Sequence, residues 1–271
     1  NAKFEDDDDP WFSITGYAGP ETGVRDRASY VLDQGGIRFV VTGAATGASE
    51  VARQVKGVDY RALGPIYCDE GGDAFWEERR GPCQELGLKL AEVLRGRLRP
   101  KGRSLYVGAG IAELPMLVME TLELNRTVEA YNLRAEEVPL LNAACAGMPF
   151  EFHAKDAREA VGAFDYLWIV SVLNDPECFP ELGALSSARA NPVTFDPDAF
   201  ALERRAVFAL AAGCLEKVTR PGLVTTSVEE IPWITDWCER QGIACAVEDR
   251  DYPTAIVEDP VCFIRVGESV T

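Results

Sequence analysis

The residues best suited to chemistry lie in the middle of the chain. Val107-Gly108-Ala109-Gly110-Ile111-Ala112-Glu113 places two glycines two apart after a short apolar run. Glycine permits a tight strand-to-helix turn and lets backbone amides approach a ligand closely. A Gly-x-Gly alone is also an ordinary turn, so the residues at the following strand ends decide its reading. One strand later comes Asn132-Leu133, where Asn132 can reach a ribose hydroxyl. Another unit on, Asp156-Ala157 puts a carboxylate where it can accept from an adenine amino group. Ser171 closes a long apolar run, and Asn174 and Asp175 follow it. Asp175 is a candidate general base, with a cap or loop carboxylate as the plainer role. Glu113 either offsets a helix dipole or contacts a cofactor's amino group. His153 reads as a packed or capping residue before it reads as a base.

These residues need a frame. Ser104–Val107, Thr127–Tyr131 and Phe150–His153 read as short strands, and Asp165–Val172 as a strand buried on both faces. Helical spacing runs from Phe75 to Leu98, from Leu114 to Leu122, from Glu136 to Ala146, from Asp198 to Lys217 and from Ile231 to Gln241. Leu223–Val228 adds a strand. Ile243–Glu248 and Val261–Val266 have no helix between them and read as an antiparallel pair at the sheet edge. The alternation predicts an α/β fold: a doubly wound, Rossmann-like, mostly parallel sheet with right-handed crossovers. Its ligand would lie beyond the strand C-termini, at the switch point. Asn174 to Pro197 reads as a long loop that shapes a substrate pocket. Trp233 and Trp237 read as packing residues.

Ser104 to Gly110, Val128 to Arg134, Asp156-Ala157 and Phe164-Asp165-Tyr166 through Ser171 resemble, in order and spacing, the successive cofactor motifs of class I S-adenosylmethionine-dependent methyltransferases. The terminal antiparallel pair resembles that family too. The likeness spans residues from about 76 to 271. It implies S-adenosyl-L-methionine as cofactor, held by Val107, Gly108, Ala109, Gly110, Glu113, Asn132, Leu133, Asp156, Ala157 and Ser171. It implies a small-molecule acceptor, attacked in line at the sulfonium methyl, with Asn174 and Asp175 near the reacting atoms. The sequence departs from the family at three places: Tyr106 and Asn132 stand where acidic residues are usual, and Ala112 where a third glycine is frequent. Asn174-Asp175-Pro176 partly resembles the Asn/Asp-Pro-Pro-aromatic motif of amino-group methyltransferases, but lacks the second proline and the aromatic residue. The acceptor atom stays open between O, N and C.

Residues 1–72 differ in texture, being rich in Gly and Asp. Ser29–Leu32 and Ile37–Val41, around Asp33-Gln34-Gly35-Gly36, predict a β-hairpin. The stretch from Tyr17-Ala-Gly-Pro-Glu-Thr-Gly23 to Arg38-Phe-Val-Val-Thr42, most sharply Arg27–Leu32, is similar to part of the N-terminal half of 4-hydroxyphenylpyruvate dioxygenases, of the vicinal-oxygen-chelate superfamily. The resemblance implies a β-rich appendage, for dimerisation, which would make the protein a homodimer, or for covering the active site. The dioxygenase iron site needs two histidines, and His153 is the only histidine here, so that chemistry is excluded.

Bulk properties narrow the partners. The 271 residues carry a formal charge of −17, which disfavours nucleic acid as a partner. No run is long and apolar enough to span a membrane, and the acidic start, Asp6 to Asp9, is unlike a signal peptide, so the chain reads as cytoplasmic. The basic run Arg95, Arg97, Arg99, Lys101 and Arg103 reads as a helix end whose cations offset the dipole, with anion binding as the alternative. Eight cysteines without a Cys-x-x-Cys pair read as reduced thiols, mostly buried. Two rivals remain. Val40 to Gly47 resembles the nucleotide loop of short-chain dehydrogenases, but none of the eight tyrosines is followed four places on by lysine. A methyltransferase fold that binds a nucleotide, or serves as a scaffold without catalysis, is the non-enzymatic reading.

Overall fold

The computed structural model describes residues 13–18, 28–34, 37–43, 72–186, 195–254 and 259–267. The chain divides into two compact units, Asn1–Gly57 and Val58–Thr271. The first contains a three-stranded antiparallel sheet of β1 (Ser13–Ala18), β2 (Ala28–Gln34) and β3 (Ile37–Gly43). The expected hairpin is there, and its pairing runs further toward the turn than expected, ending with Gln34 opposite Ile37. Cys68 and residues 44–47 of the dehydrogenase-like stretch lie outside the described residues.

The second unit holds a seven-stranded sheet. Its strands are β4 (Arg103–Val107), β5 (Thr127–Tyr131), β6 (Phe152–His153), β7 (Phe164–Ile169), β8 (Val218–Ser227), β9 (Cys245–Tyr252) and β10 (Val261–Val266). Their order is β6-β5-β4-β7-β8-β10-β9. The pairings from β6 to β8 are parallel, whereas β10 runs antiparallel to both β8 and β9. This is the doubly wound, mostly parallel sheet with an antiparallel C-terminal pair that the sequence predicts. The chain leaves β4 toward β5 and later returns to β7 on the other side, so β4 flanks the switch point.

Alternation along the strands sorts two cores. Leu105 and Val107 of β4, with Leu167 and Ile169 of β7, face α5 (Pro197–Leu215) and α6 (Ile231–Arg240) through Val207, Ala211, Ile234 and Trp237. Tyr106 faces the opposite side, stacked on Trp168 at 5.7 Å and edge-on to Tyr166 at 5.8 Å. That side is covered by α1 (Gly72–Arg95) and α2 (Leu114–Val118), which widens into a π turn over Met119–Glu123. α1 begins at Gly72, ahead of the expected start at Phe75.

The α2 face encloses a polar knot. Glu120 of the π turn is fully buried and accepts from Ser104 Oγ, from Tyr106 OH at 2.6 Å and from Arg126 Nε at 2.9 Å. Arg126 also donates to Asp165 Oδ1 at 2.6 Å, beside the start of β7. Tyr106 thus packs into the sheet and bonds to the π turn after α2.

The remaining helices differ modestly from expectation. α3 (Glu137–Ala144) clamps the edge strand β6 through Asn142, which donates to Phe152 O at 2.9 Å and accepts Phe152 N–H at 2.8 Å. Such a clamp occupies backbone groups that an open edge would present. The expected loop from Asn174 to Pro197 contains a helix, α4 (Pro180–Ser186), with proline at its first position and Glu181 in its first turn. β8 begins at Val218, five residues earlier than expected, because it runs through Pro221. Of the basic run, Arg95 pairs with Glu92 and Glu123, Arg97 with Glu248 and Arg103 with Glu129, so these three cations are held in ion pairs within the fold. The described cysteines form no disulfide, and five of them are buried. Among the described residues, no helix is long and apolar enough to cross a membrane, and no His, Cys, Asp and Glu cluster is arranged to hold a metal.

Candidate functional site

β4 ends in the glycine turn. Gly108 is exposed and has φ +69°, the left-handed region that favours glycine. A Cβ there would stand 2.6 Å from Val172 Cγ2, in the loop after β7. The turn's next two amides are already taken. Ala109 N–H donates to Tyr131 O at 3.0 Å, and Gly110 N–H to Glu113 Oε2 at 2.7 Å. What the turn presents to solvent is therefore the Gly108 backbone, not a row of donors. Val107 and Ala109 are buried; Val107 and, further on, Ala157 belong to the apolar core.

At the end of β5, Asn132 is buried against this turn. Its Nδ2 donates to Ala109 O at 3.0 Å and to Glu137 Oε2 at 3.1 Å, while Oδ1 accepts Arg134 N–H at 2.8 Å. Both amide hydrogens are used, and one acceptor lone pair of Oδ1 remains. Leu133, beside it, is 63 % exposed. Arg134 pairs with Glu177 at 2.6 Å, tying the loop after β5 to the loop after β7.

Asp156 follows β6 and caps the short helix Ala157–Glu159, accepting Arg158 N–H at 2.8 Å. The Arg158 guanidinium also bonds both of its oxygens and holds its carboxyl below the ordinary range. Asn174 Nδ2 donates to Glu229 Oε2 at 3.1 Å and lies 3.4 Å from Asp259 Oδ2. Asp175 Oδ1 accepts Glu177 N–H at 3.0 Å, the loop-capping role that is the plainer expectation. His153 packs its ring against Tyr131 at 5.2 Å.

Glu113 is unlike a surface carboxylate offsetting a dipole. It is buried, and the loss of hydration pushes its carboxyl up to about 7, against the opposing pull of the Gly110 N–H. It lines a cavity of about 100 Å³ together with Trp168, Ser171 and residues of α1. Ser171 sits in the left-handed region at φ +55°, and its backbone is held by Glu230, which accepts Ser171 N–H at 3.0 Å, Val172 N–H at 2.6 Å and Leu173 N–H at 2.5 Å. Glu230 is not among the residues that the sequence singles out. Its signal is the Ser227-x-x-Glu230 capping box, whose reciprocal bonds are both formed.

The structure thus brings Ala109 and Asn132 into direct contact, joins Gly110 to Glu113, and sets Glu113 and Ser171 on one cavity wall. It leaves Asp156 with Arg158, and Asp175 in a turn.

No protein-family model matches the sequence, and no curated protein matches it significantly. Solved structures do. A methyltransferase from Pyrococcus furiosus is 13% identical, with 68% of this chain and 83% of that chain covered and a TM-score of 0.44. Magnesium protoporphyrin IX methyltransferase from Synechocystis PCC 6803, solved with bound S-adenosylmethionine, is 10% identical, with 77% and 97% covered and a TM-score of 0.44. A tRNA m1G37 methyltransferase from M. jannaschii is 11% identical, with 90% and 59% covered and a TM-score of 0.40. At these identities and scores the likeness assigns no activity and no substrate. The amino-terminal likeness to dioxygenases gains no support from these matches.

Proposed function

We propose that the protein transfers the methyl group of S-adenosylmethionine to a small-molecule acceptor. The observation that carries this reading is the Gly108 turn. It ends the strand beside the switch point of the sheet, its φ of +69° suits glycine, and its backbone is open to solvent. Around it stand groups that fit an adenosyl moiety. Asn132 Oδ1 keeps one lone pair for a ribose hydroxyl, and exposed Leu133 offers an apolar surface to a purine face. Asp156 can accept from the adenine amino group by sharing an oxygen with Arg158. The cofactor, when bound, supplies an electrophilic methyl group. The protein's task is then to orient the acceptor and exclude water, with Asn174 and Asp175 at the rim as the candidate orienting pair. The charge of −17 favours a small acceptor over nucleic acid.

A second reading has its own observation. The amides of Ala109 and Gly110, both hydrogens of Asn132 and both oxygens of Asp156 are engaged within the protein, as in a fold that binds a nucleotide weakly or serves as a scaffold. Calorimetric titration of the full chain with S-adenosylhomocysteine, S-adenosylmethionine and NAD separates the two. Saturable binding of both sulfur compounds, weakened about tenfold in Asn132→Ala, is the result expected. No binding of either overturns the methyl-transfer reading, and binding of NAD alone replaces it with a dehydrogenase.

A further inference from the structure

The cavity on the α1 side of the sheet has a composition of its own. Leu86, Leu90, Met116, Trp168, Val170 and Val261 give it apolar walls, and Glu113, Ser171 and Thr254 are the polar residues of its described lining. The Ser171 hydroxyl oxygen is buried and has no hydrogen-bond partner. Buried polar atoms of this kind are rare in native structures and call for an explanation. Ser171 is not loosely placed: φ +55° and the Glu230 bond to its N–H fix where its side chain starts. A non-glycine residue held in that region, beside an unsatisfied hydroxyl, is a pattern found at ligand sites.

Size and polarity narrow the ligand. A cavity of about 100 Å³ is on the scale of apolar cavities that accept benzene. It is smaller than the pockets of ~300 Å³ and more that enclose drug-sized ligands, so an adenosyl compound does not fit within it. The apolar walls favour a neutral ring. Glu113, titrating near neutrality, can accept from or donate to a hydroxyl, whereas a cationic ligand would need a permanent carboxylate charge among apolar side chains. We propose that this cavity binds a single-ring aromatic molecule bearing a hydroxyl group, with that hydroxyl bonded to the Glu113 carboxyl and to Ser171 Oγ, which turns toward the ligand about its Cα–Cβ bond. The site deepens the proposed function by naming an acceptor class. It rests on that reading for the reaction but not for the binding.

Phenol and toluene, titrated into the full chain at neutral pH and followed by calorimetry and by ligand-observed NMR, test the site. Phenol should bind saturably and at least as tightly as toluene, because the cavity offers its hydroxyl partners that toluene cannot use. Ser171→Ala should weaken phenol about tenfold and toluene less than about twofold. Leu86→Trp, at a half-buried position on the cavity wall, should abolish both, with circular dichroism showing the fold intact. Absence of saturable phenol binding, or equal losses for phenol and toluene in Ser171→Ala, overturns the proposal. A parallel titration with S-adenosylhomocysteine keeps the two readings apart. Binding of the nucleoside without phenol removes this site alone, and binding of phenol without the nucleoside removes methyl transfer alone.

Discussion

Glu230, just past the end of β8, accepts the backbone N–H of Ser171 at 3.0 Å and so fixes the loop after β7 to a neighbouring strand end. The same buried carboxyl also takes the N–H groups of Val172, Leu173 and Ser227 and the hydroxyls of Thr226 and Ser227. Burial raises its pKa, and the surrounding donors oppose the rise. Removing it leaves six donors without their acceptor in a buried place. Glu230→Ala should therefore destabilise the protein by roughly 3–5 kcal/mol, a range typical of breaking a buried charged network. Urea unfolding of the two proteins side by side measures it; a loss under about 1 kcal/mol would show that the loop keeps its shape without the clasp.

Gly108 and Val172 make a second pair with a testable geometry. A methyl at Gly108 meets Val172 Cγ2 at 2.6 Å, and the left-handed backbone adds strain of its own. Gly108→Ala should cost about 1–3 kcal/mol and weaken S-adenosylhomocysteine at least about tenfold. Val172→Ala, added to it, removes the collision but not the φ strain, so it should restore part of the stability. If the double variant is as unstable as the single one, backbone strain alone accounts for the glycine.

The Arg134–Glu177 pair, 2.6 Å apart, links the loop after β5 to the loop after β7. Both side chains are substantially exposed, so the pair should contribute under about 1 kcal/mol to stability. On the methyl-transfer reading, its consequence lies in access to the crevice. Glu177→Gln should leave the unfolding midpoint nearly unchanged while S-adenosylhomocysteine associates severalfold faster in stopped-flow measurements. An unchanged association rate would mean that the ligand enters elsewhere.

Much of this frame can be read from the amino acids, and the exceptions have physical causes. β5 and β10 fall on the expected residues, because short apolar runs between polar breaks leave little choice of boundary. Asn132, Gly108 and Ser171 can be placed at strand ends from the alternation of elements. What each bonds to cannot, since Asn132's partners, Ala109 and Glu137, are fixed only once two loops meet in space. The Glu120–Arg126 knot is hidden because both residues look like surface charges, one in a helical pattern and one at the break before β5, and only the π turn and the sheet behind it bury them. α4 leaves a trace in Pro180-Glu181, a proline start followed by an acid, which the Gly- and Ser-containing stretch around it obscures. The left-handed backbone of Ser171 leaves none.

Glu113 makes stability depend on pH in a direction opposite to that of a salt-bridged carboxylate. Its folded pKa, about 7, lies above the ordinary value of 4.5 because burial penalises the charged form. Between those two pH values the folded chain holds a proton that the unfolded chain has released, so the slope of stability against pH is negative there. Below about 4.5 the group is protonated in both states and contributes no slope. As pH rises through the window the folded state loses ground, and the full cost, on the order of 3 kcal/mol, is present above about 7. Glu120 and Glu230, also raised by burial, act with the same sign. The wild-type protein should therefore lose urea resistance between about pH 4.5 and 7, the window set by Glu113. In Glu113→Gln, which keeps the shape and cannot ionise, that loss should shrink by about half or more. An unaltered pH profile in the variant would show that Glu113 is already charged in the folded protein at neutral pH, with its buried charge compensated by the Gly110 N–H and the Trp168 side chain.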